Sequence, residues 1–210
     1  MQKSTRRDTR AALIRAAERL FAERGLGGVS VRDITRAAGA RNESALHYHF
    51  GGMEPLMREV FASRYREIEQ ARRTEIARLD AAGRGDEIEA LLAAAIGPLF
   101  EACEDEEGRL YVRFCVQLAS DPRFDLAELV EEIGMESAID LGRRLRTMLD
   151  GLPVTVLSAR LRRLLPISIQ LAADHVRQVE AGTALPFAAA RAEAAVSLAG
   201  FLKAQPALPR

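Results

Sequence analysis

The segment from residue 41 to residue 49 concentrates side chains that hydrogen-bond readily to nucleic acid. Its polar members include Arg41, Asn42, Ser44, His47 and Tyr48. An arginine fork matches guanine O6 and N7, an asparagine amide matches adenine, and hydroxyl or imidazole groups reach phosphates or a thymine methyl. These residue types favour contact with base-pair edges in double-stranded DNA.

Such side chains need a helix that presents them together, and the local sequence predicts one. Asn42 is a good N-cap for a short helix over residues 42–49. Before it, Ser30 and Asp33 have the spacing of a capping box for another short helix, which Gly39 ends. Two short helices joined by a glycine turn indicate a helix-turn-helix.

An amphipathic helix precedes this pair and completes a three-helix unit. Thr5 and Asp8 have the spacing of a capping signature at its start. In such a unit the second short helix enters the major groove, which admits one α-helix. Thr5, Arg32 and Thr35 are candidates for contacts with the phosphate backbone. The alternative is a plain three-helix bundle whose polar residues face water.

The formal net charge of zero conceals an uneven distribution. The chain carries 30 basic and 30 acidic residues, but its first 50 residues hold ten basic and five acidic ones. This part is therefore +5, and the remainder is −5. A total of zero argues against a protein that coats nucleic acid without specificity. The +5 segment suits a local DNA-binding surface.

Beyond residue 51 the apolar residues recur at helical spacing, and no stretch shows the alternation of a strand. We predict helices at about 54–80, 86–105, 108–119, 125–150, 156–181 and 186–204. The sequence therefore predicts an all-α protein of about nine helices. Its DNA-binding domain is residues 1–51, called the head below, and residues 52–210 form a helical body.

An enzyme is the competing class of function, and the sequence supplies little for it. No Ser/His/Asp order and no phosphate-binding glycine loop is present, and two of the three histidines lie in the predicted recognition segment. We predict no catalytic residues, no metal site and no cofactor. Cys103 and Cys115 are predicted to be small buried apolar residues. A helical interaction module that does not bind DNA is a second alternative.

No secretory or membrane-spanning segment is predicted. The first residues lack the apolar stretch of a signal peptide. The longest uncharged apolar run, residues 90–100, is about half the length of a membrane span. We therefore expect a cytoplasmic protein without a membrane partner.

Four short blocks within residues 20–50 resemble the N-terminal domain of tetracycline-repressor (TetR) family transcriptional regulators. The blocks are residues 20–25 (LFAERG), 29–34 (VSVRDI), 37–39 (AAG) and 48–50 (YHF). The resemblance implies that Asn42 to His49, Ala45 included, form the recognition helix. It also implies a homodimer that binds a palindromic operator, acts as a repressor and is released by a small-molecule effector.

The chain departs from the family pattern at two places. Between Gly39 and Phe50 it has one residue more than the commonest pattern, so base contacts cannot be assigned position by position. Three residues after Phe50, where the family often has a lysine, this chain has Met53. Free N–H groups at that helix start can still hold a phosphate.

Apolar residues of the body are candidates for an effector pocket and a dimer interface. The pocket candidates are Phe100, Tyr111, Phe114, Cys115, Leu118, Met135 and Ile139. The resemblance places the dimer interface on the last two helices, where the candidates are Ile169, His175, Val176, Val196 and Leu198. The polarity of the effector stays open, because the body also contains several arginines.

Overall fold

A computed structural model describes residues 2–40 and 42–206, with side chains from residue 8 onward. The described residues form ten α-helices and one 3₁₀ turn, and none of them forms a strand. The predicted all-α class is confirmed. The helices are α1 (Gln2–Arg24), α2 (Val31–Ala37), α3 (Ser44–Phe50), α4 (Met53–Ala81), α5 (Ile88–Ala102), α6 (Glu106–Ser120), α7 (Leu126–Ile133), α8 (Glu136–Met148), α9 (Val154–Glu180) and α10 (Phe187–Lys203).

Gly134 explains why there is one helix more than predicted. The sequence predicts a single helix over residues 125–150, but the chain forms α7 and α8 instead. Gly134 adopts the left-handed conformation, with φ 73°, which residues with a Cβ rarely adopt. Its N–H donates to the carbonyl of Glu131 and closes the end of α7.

Two helices begin at other residues than predicted. α1 begins at Gln2 rather than at Thr5, whose side chain lies outside the described side chains. α3 begins at Ser44 rather than at Asn42. The Asn42 side chain does not cap the helix, because its Oδ1 accepts from the Ser44 hydroxyl (2.7 Å) instead of from a backbone N–H.

One continuous apolar core joins the head to the body. The Phe21 ring of α1 lies 5.8 Å from the Phe114 ring of α6, and the Phe61 ring of α4 lies 6.5 Å from that of Tyr111. The Tyr111 hydroxyl donates to the Phe61 carbonyl (2.9 Å), so its polar end is satisfied within the core. Because α1, α4 and α6 share this core, packing of the body sets the position of the head.

A cluster of three charged residues joins the same three helices. Arg64 on α4 donates to Glu18 on α1 (3.1 Å) and to Glu107 on α6 (2.6 Å). Glu18 is buried, and its loss of hydration raises the pKa of its carboxyl group although Arg64 acts in the opposite direction. Because the burial of charge costs free energy, the cluster adds little net stability and mainly constrains how α1 lies on the body.

Candidate nucleic-acid interface and ligand cavity

α2 and α3 form the helix-turn-helix, and local hydrogen bonds define the start of α2. The predicted capping box is confirmed: the Asp33 N–H donates to Ser30 Oγ (3.2 Å), and the Ser30 N–H donates to the Asp33 carboxylate (3.1 Å). Hydrogen bonds from Ser30 also lower the pKa of the Asp33 carboxyl group. Gly39, with φ 66°, makes the turn after α2.

α3 is attached to the head by one fully buried side chain. Leu46 has no exposed surface and is the only buried residue of this helix. Phe50 is half-buried against the core, and the Arg10 guanidinium of α1 lies 5.1 Å from the centre of its ring. The opposite side of α3 is open, with Tyr48 66 % exposed.

The structure exposes most of the side chains that were predicted to contact DNA. The exposed ones are Arg32, Asn42, Ser44, His47 and Tyr48, and the half-buried ones are Ala45 and His49. The rings of Tyr48 and His49 meet edge to face at 5.2 Å. Arg41 and the side chain of Thr5 lie outside the described residues, so their contacts stay predictions.

Thr35 points inward, and the structure contradicts its predicted contact with phosphate. Thr35 is only 3 % exposed. The hydroxyl donates to the carbonyl of Val31 one helical turn earlier, at 3.0 Å. Thr35 therefore packs α2 against the head and offers no surface to a nucleic acid.

Exposed arginines surround the helix-turn-helix. Arg32 and Arg36 are exposed on α2, and Arg15 and Arg19 are exposed on α1. The one acidic residue of α2, Asp33, is held by its bonds with Ser30. This distribution agrees with the +5 charge of the first 50 residues and suits a phosphate backbone.

The junction between α3 and α4 is made by a glycine turn and an apolar anchor. Gly51 has φ 83°, and its N–H donates to the His47 carbonyl (2.8 Å) at the end of α3. α4 begins at Met53, whose side chain is half-buried against the core. Where the resemblance leads one to expect a lysine, this chain therefore has an apolar contact.

The body contains a cavity of about 380 Å³ between α4, α5, α7, α8 and α9. Apolar residues of its wall are Ile96, Leu99, Val130, Leu161, Leu164 and Leu165. Polar residues of its wall are Tyr65, Arg72, Glu131, Arg146, Ser158, Arg162 and Ser168. A mainly apolar wall with a few separated polar groups suits a small molecule that has an extended apolar part.

Most of the predicted pocket residues do not line this cavity. Ile139 lines the cavity and is 43 % exposed. The prediction is wrong for the other six residues, because helical spacing identifies the buried side of a helix but not which buried residues face an open space. The residues packed in the core are Phe100, Tyr111, Phe114, Cys115, Leu118 and Met135.

Arg72 is a cavity residue that the predictions omit. It lies on the cavity wall and is only 5 % exposed. The sequence carries a signal for it, since Ile68, Arg72 and Ile76 follow one another at intervals of four residues. This spacing puts a charged residue on the core-facing side of α4, where a charge needs a partner.

The two cysteines are buried, and the described part of the chain has no cluster of metal-ligating side chains. Cys103 and Cys115 are buried free thiols, and burial raises the pKa of Cys103 to about 12 and that of Cys115 still further. Within the described ranges, no three His, Cys, Asp or Glu side chains gather as metal ligands do. No helix in these ranges is a candidate for a membrane-spanning segment.

The predicted dimer residues lie mostly inside one protomer. Val196 is 55 % exposed, whereas the prediction is wrong for the buried Ile169, His175, Val176 and Leu198. They are buried because α9 packs on α6 and α10 packs on α5, which covers the apolar sides of both helices. The His175 ring meets the Phe187 ring edge-on. Neither nitrogen of His175 has a hydrogen-bond partner among the described residues. Burial lowers the pKa of the His175 imidazole.

Comparisons with known proteins find a family model that the N-terminal part of the chain matches. Residues 13–60 match the family model of bacterial regulatory proteins of the tetR family. A stretch of 128 residues is 32 % identical to the HTH-type transcriptional repressor KstR2 of Mycobacterium tuberculosis. This stretch covers 57 % of the chain and 57 % of that repressor, so the match spans just over half the length of the relative.

Two solved structures share the whole fold. A putative tetR family transcription regulator from Shewanella sp. PV-4 superposes with a TM-score of 0.62 at 18 % identity, over 90 % of this chain and 95 % of that one. The transcriptional regulator FadR from Bacillus subtilis, in complex with stearoyl-CoA, superposes with a TM-score of 0.62 at 15 % identity, over 90 % of this chain and 96 % of that one. Identities this low show a common fold.

Proposed function

Because residues 13–60 match the family model of bacterial regulatory proteins of the tetR family, we propose that the chain is a member of that family, a sequence-specific transcriptional regulator that binds DNA as a homodimer. DNA binding is assigned to residues 1–51, and effector binding and dimerisation to residues 52–210. Repression in the cytoplasm, relieved by a small molecule, is the proposed mode of action. The relative KstR2 is itself named a repressor.

The exposed polar side of α3 is the observation that carries this proposal. Asn42, Ser44, His47 and Tyr48 face solvent around a helix whose only buried residue is Leu46. A helix of this width fits the major groove, where amide, hydroxyl and imidazole groups reach base edges. The exposed arginines of α2, which packs against α3, supply contacts with phosphate.

Tyr48→Ala tests whether this side of α3 contacts DNA. We expect affinity for the operator to fall by roughly 10- to 100-fold, because the exposed ring loses its contact while the fold is unaffected. The operator is first obtained by selecting bound DNA from a random pool. Affinity is then measured by gel-shift titration at physiological salt, and circular dichroism confirms that the variant is folded.

Val154→Ala is the matched control, since Val154 is 79 % exposed at the start of α9 and far along the chain from the head. Its affinity should equal that of the wild type. Weak binding by the wild type that ignores sequence and falls steeply with salt would instead indicate a protein without an operator. If Tyr48→Ala binds the operator as tightly as the wild type, this side of α3 does not contact DNA.

Dimerisation is assigned to the outward sides of α9 and α10. Ala188, Ala189, Ala192 and Val196 are exposed on α10, and small side chains let two helices approach closely. A two-fold dimer presents two copies of α3 to the DNA, so selection should recover two inverted half-sites. Their centres should lie about 34–36 Å apart or a multiple of that distance.

Val196→Glu tests this interface. Two carboxylates that face each other across a two-fold axis repel and lose hydration, so we expect the protein to become monomeric at micromolar concentration. Sedimentation equilibrium measures the mass, and operator affinity should fall with it. Ala82→Glu adds the same charge at an exposed site on neither α9 nor α10 and should stay dimeric. A dimeric Val196→Glu would mean that another surface joins the protomers.

The cavity in the body is the proposed effector site. Its apolar wall and separated polar groups suit an amphipathic small molecule, and FadR, which shares this fold, holds stearoyl-CoA. α4 supplies Tyr65 and Arg72 to the cavity and also packs against α3, so it connects the two sites. If the effector weakens DNA binding, DNA must weaken effector binding by the same factor.

A further inference from the structure

The guanidinium of Arg72 is only partly used by the protein. Its Nε donates to the Ala95 carbonyl (2.8 Å), its Nη1 donates to the Glu69 carboxylate (3.1 Å), and its Cζ lies 5.1 Å from the ring centre of Tyr65. Nη2 donates to none of the described residues and is open to the cavity that Arg72 lines. This donor edge is therefore available to an acceptor on a ligand in the cavity.

Glu69 connects Arg72 to the start of α8. Its carboxylate accepts from the Ser137 N–H (2.8 Å) and from the Ser137 hydroxyl (2.6 Å). Ser137 is the second residue of α8, where backbone N–H groups lack partners within the helix and a carboxylate is favoured by the helix dipole. A buried polar chain therefore runs from α5 through Arg72 and Glu69 on α4 to α8.

The buried charges of this chain balance before any ligand enters. Arg72 contributes one positive charge and Glu69 one negative charge, and the two are within ion-pair distance. A ligand carboxylate that binds Arg72 shares its guanidinium with Glu69. Because two carboxylates repel strongly where water is scarce, the ligand weakens the hold of Arg72 on Glu69.

We infer that Arg72 is the anion-binding residue of the cavity and that its ligands are apolar molecules ending in a carboxylate. The carboxylate accepts from Nη2 and competes with Glu69 for Arg72. Because Glu69 then has fewer donors, it accepts more strongly from Ser137, and the bonds that tie α8 to α4 tighten. Since α4 also packs against α3, a change at Arg72 is connected to the head through one helix. This inference rests on the proposed role of the cavity as the effector site.

The test compares decanoate with decanol, which share a ten-carbon chain but differ in charge. Isothermal titration calorimetry of the full chain gives the ratio of their affinities. Arg72→Met combined with Glu69→Gln removes both buried charges together, so no charge is left unpaired and the amide oxygen still accepts from Ser137. We expect the decanoate preference to fall by roughly 10- to 100-fold in this double variant.

Two further measurements separate binding from a structural effect. Glu69→Gln alone removes the competing charge, so it should bind decanoate more tightly and leave decanol binding unchanged. In the wild type, decanoate should slow hydrogen exchange at the Ser137 amide, because Glu69 accepts more strongly once it shares Arg72 with the ligand. Arg162→Met is the matched control, because Arg162 lines the cavity but is paired with Asp125 outside the polar chain. It should keep the wild-type preference.

The inference is overturned if the double variant keeps the wild-type preference, if Arg162→Met loses it instead, or if the wild type binds neither probe. Gel shifts of the same proteins without ligand are run in parallel. If the unliganded wild type does not bind an operator, the proposed function is wrong. The calorimetry then still tests the role of Arg72 in ligand binding. Normal operator binding with an unchanged preference defeats only the role of Arg72.

Discussion

Gly108→Ala is expected to lower the melting temperature of the protein by roughly 10 °C. A Cβ at this position lies 1.6 Å from the carbonyl oxygen of Ala102, which is a backbone atom of the last turn of α5 and cannot rotate away. The same turn is closed by Asp105, whose carboxylate accepts from the Gly108 N–H at 2.7 Å. Separating α5 from α6 here costs about 3 kcal/mol or more.

Gly151→Ala provides the comparison, because a Cβ at Gly151 meets no heavy atom within 4 Å and its φ is not positive. Its melting temperature should stay close to that of the wild type. Both variants are measured by circular dichroism at several protein concentrations, so that dimer dissociation is separated from unfolding. If Gly108→Ala has the same melting temperature as the wild type, α5 and α6 are farther apart at this turn.

Leu46→Ala is expected to abolish operator binding while the body stays folded. α3 has seven residues, too few to be stable in isolation, and Leu46 is its only fully buried side chain. Truncation of a buried leucine costs about 2–5 kcal/mol, and here the loss falls on one short helix that can open locally. Hydrogen exchange should speed up across α3 and remain slow in α5 and α6.

Leu145→Ala is the matched control for this truncation. Leu145 is equally buried but lies on α8, in the body. It should lower the overall stability by a comparable amount and leave operator affinity unchanged at temperatures where the protein is folded. If both variants lose operator binding to the same extent, the head and body unfold as one unit and Leu46 has no special role in holding α3.

Signals encoded by neighbouring residues were predicted well from the sequence. The capping box at Ser30 and Asp33 forms as expected, because its hydrogen bonds span only three residues. Helix ends that lacked such a signal were predicted less well. Asn42 has the right residue type for an N-cap, yet its side chain bonds to the Ser44 hydroxyl and the helix begins later. The sequence predicts one helix across Gly134, but the left-handed backbone of this residue divides it into two.

The roles of individual buried residues were predicted less well. Tyr111 and Ile139 both have apolar surface at helical spacing, but one is in the core and the other on the cavity wall. Thr35 and Arg32 are three residues apart on α2, but one faces the head and the other faces solvent. A charged residue on the apolar side of a helix predicts a buried polar site, and Arg72 on α4 is such a residue.

The sequence by itself determined the helical class, the helix-turn-helix and the resemblance of the head to the tetR family, because caps, glycine turns and apolar periodicity are local properties of the chain. Tertiary structure alone decided that Ile169 and His175 are inside the protomer and that Arg72 borders a cavity. The physical reason is that burial depends on which helices cross and how closely they approach. Those contacts join residues far apart in the chain, such as Glu69 and Ser137, and no local pattern specifies them.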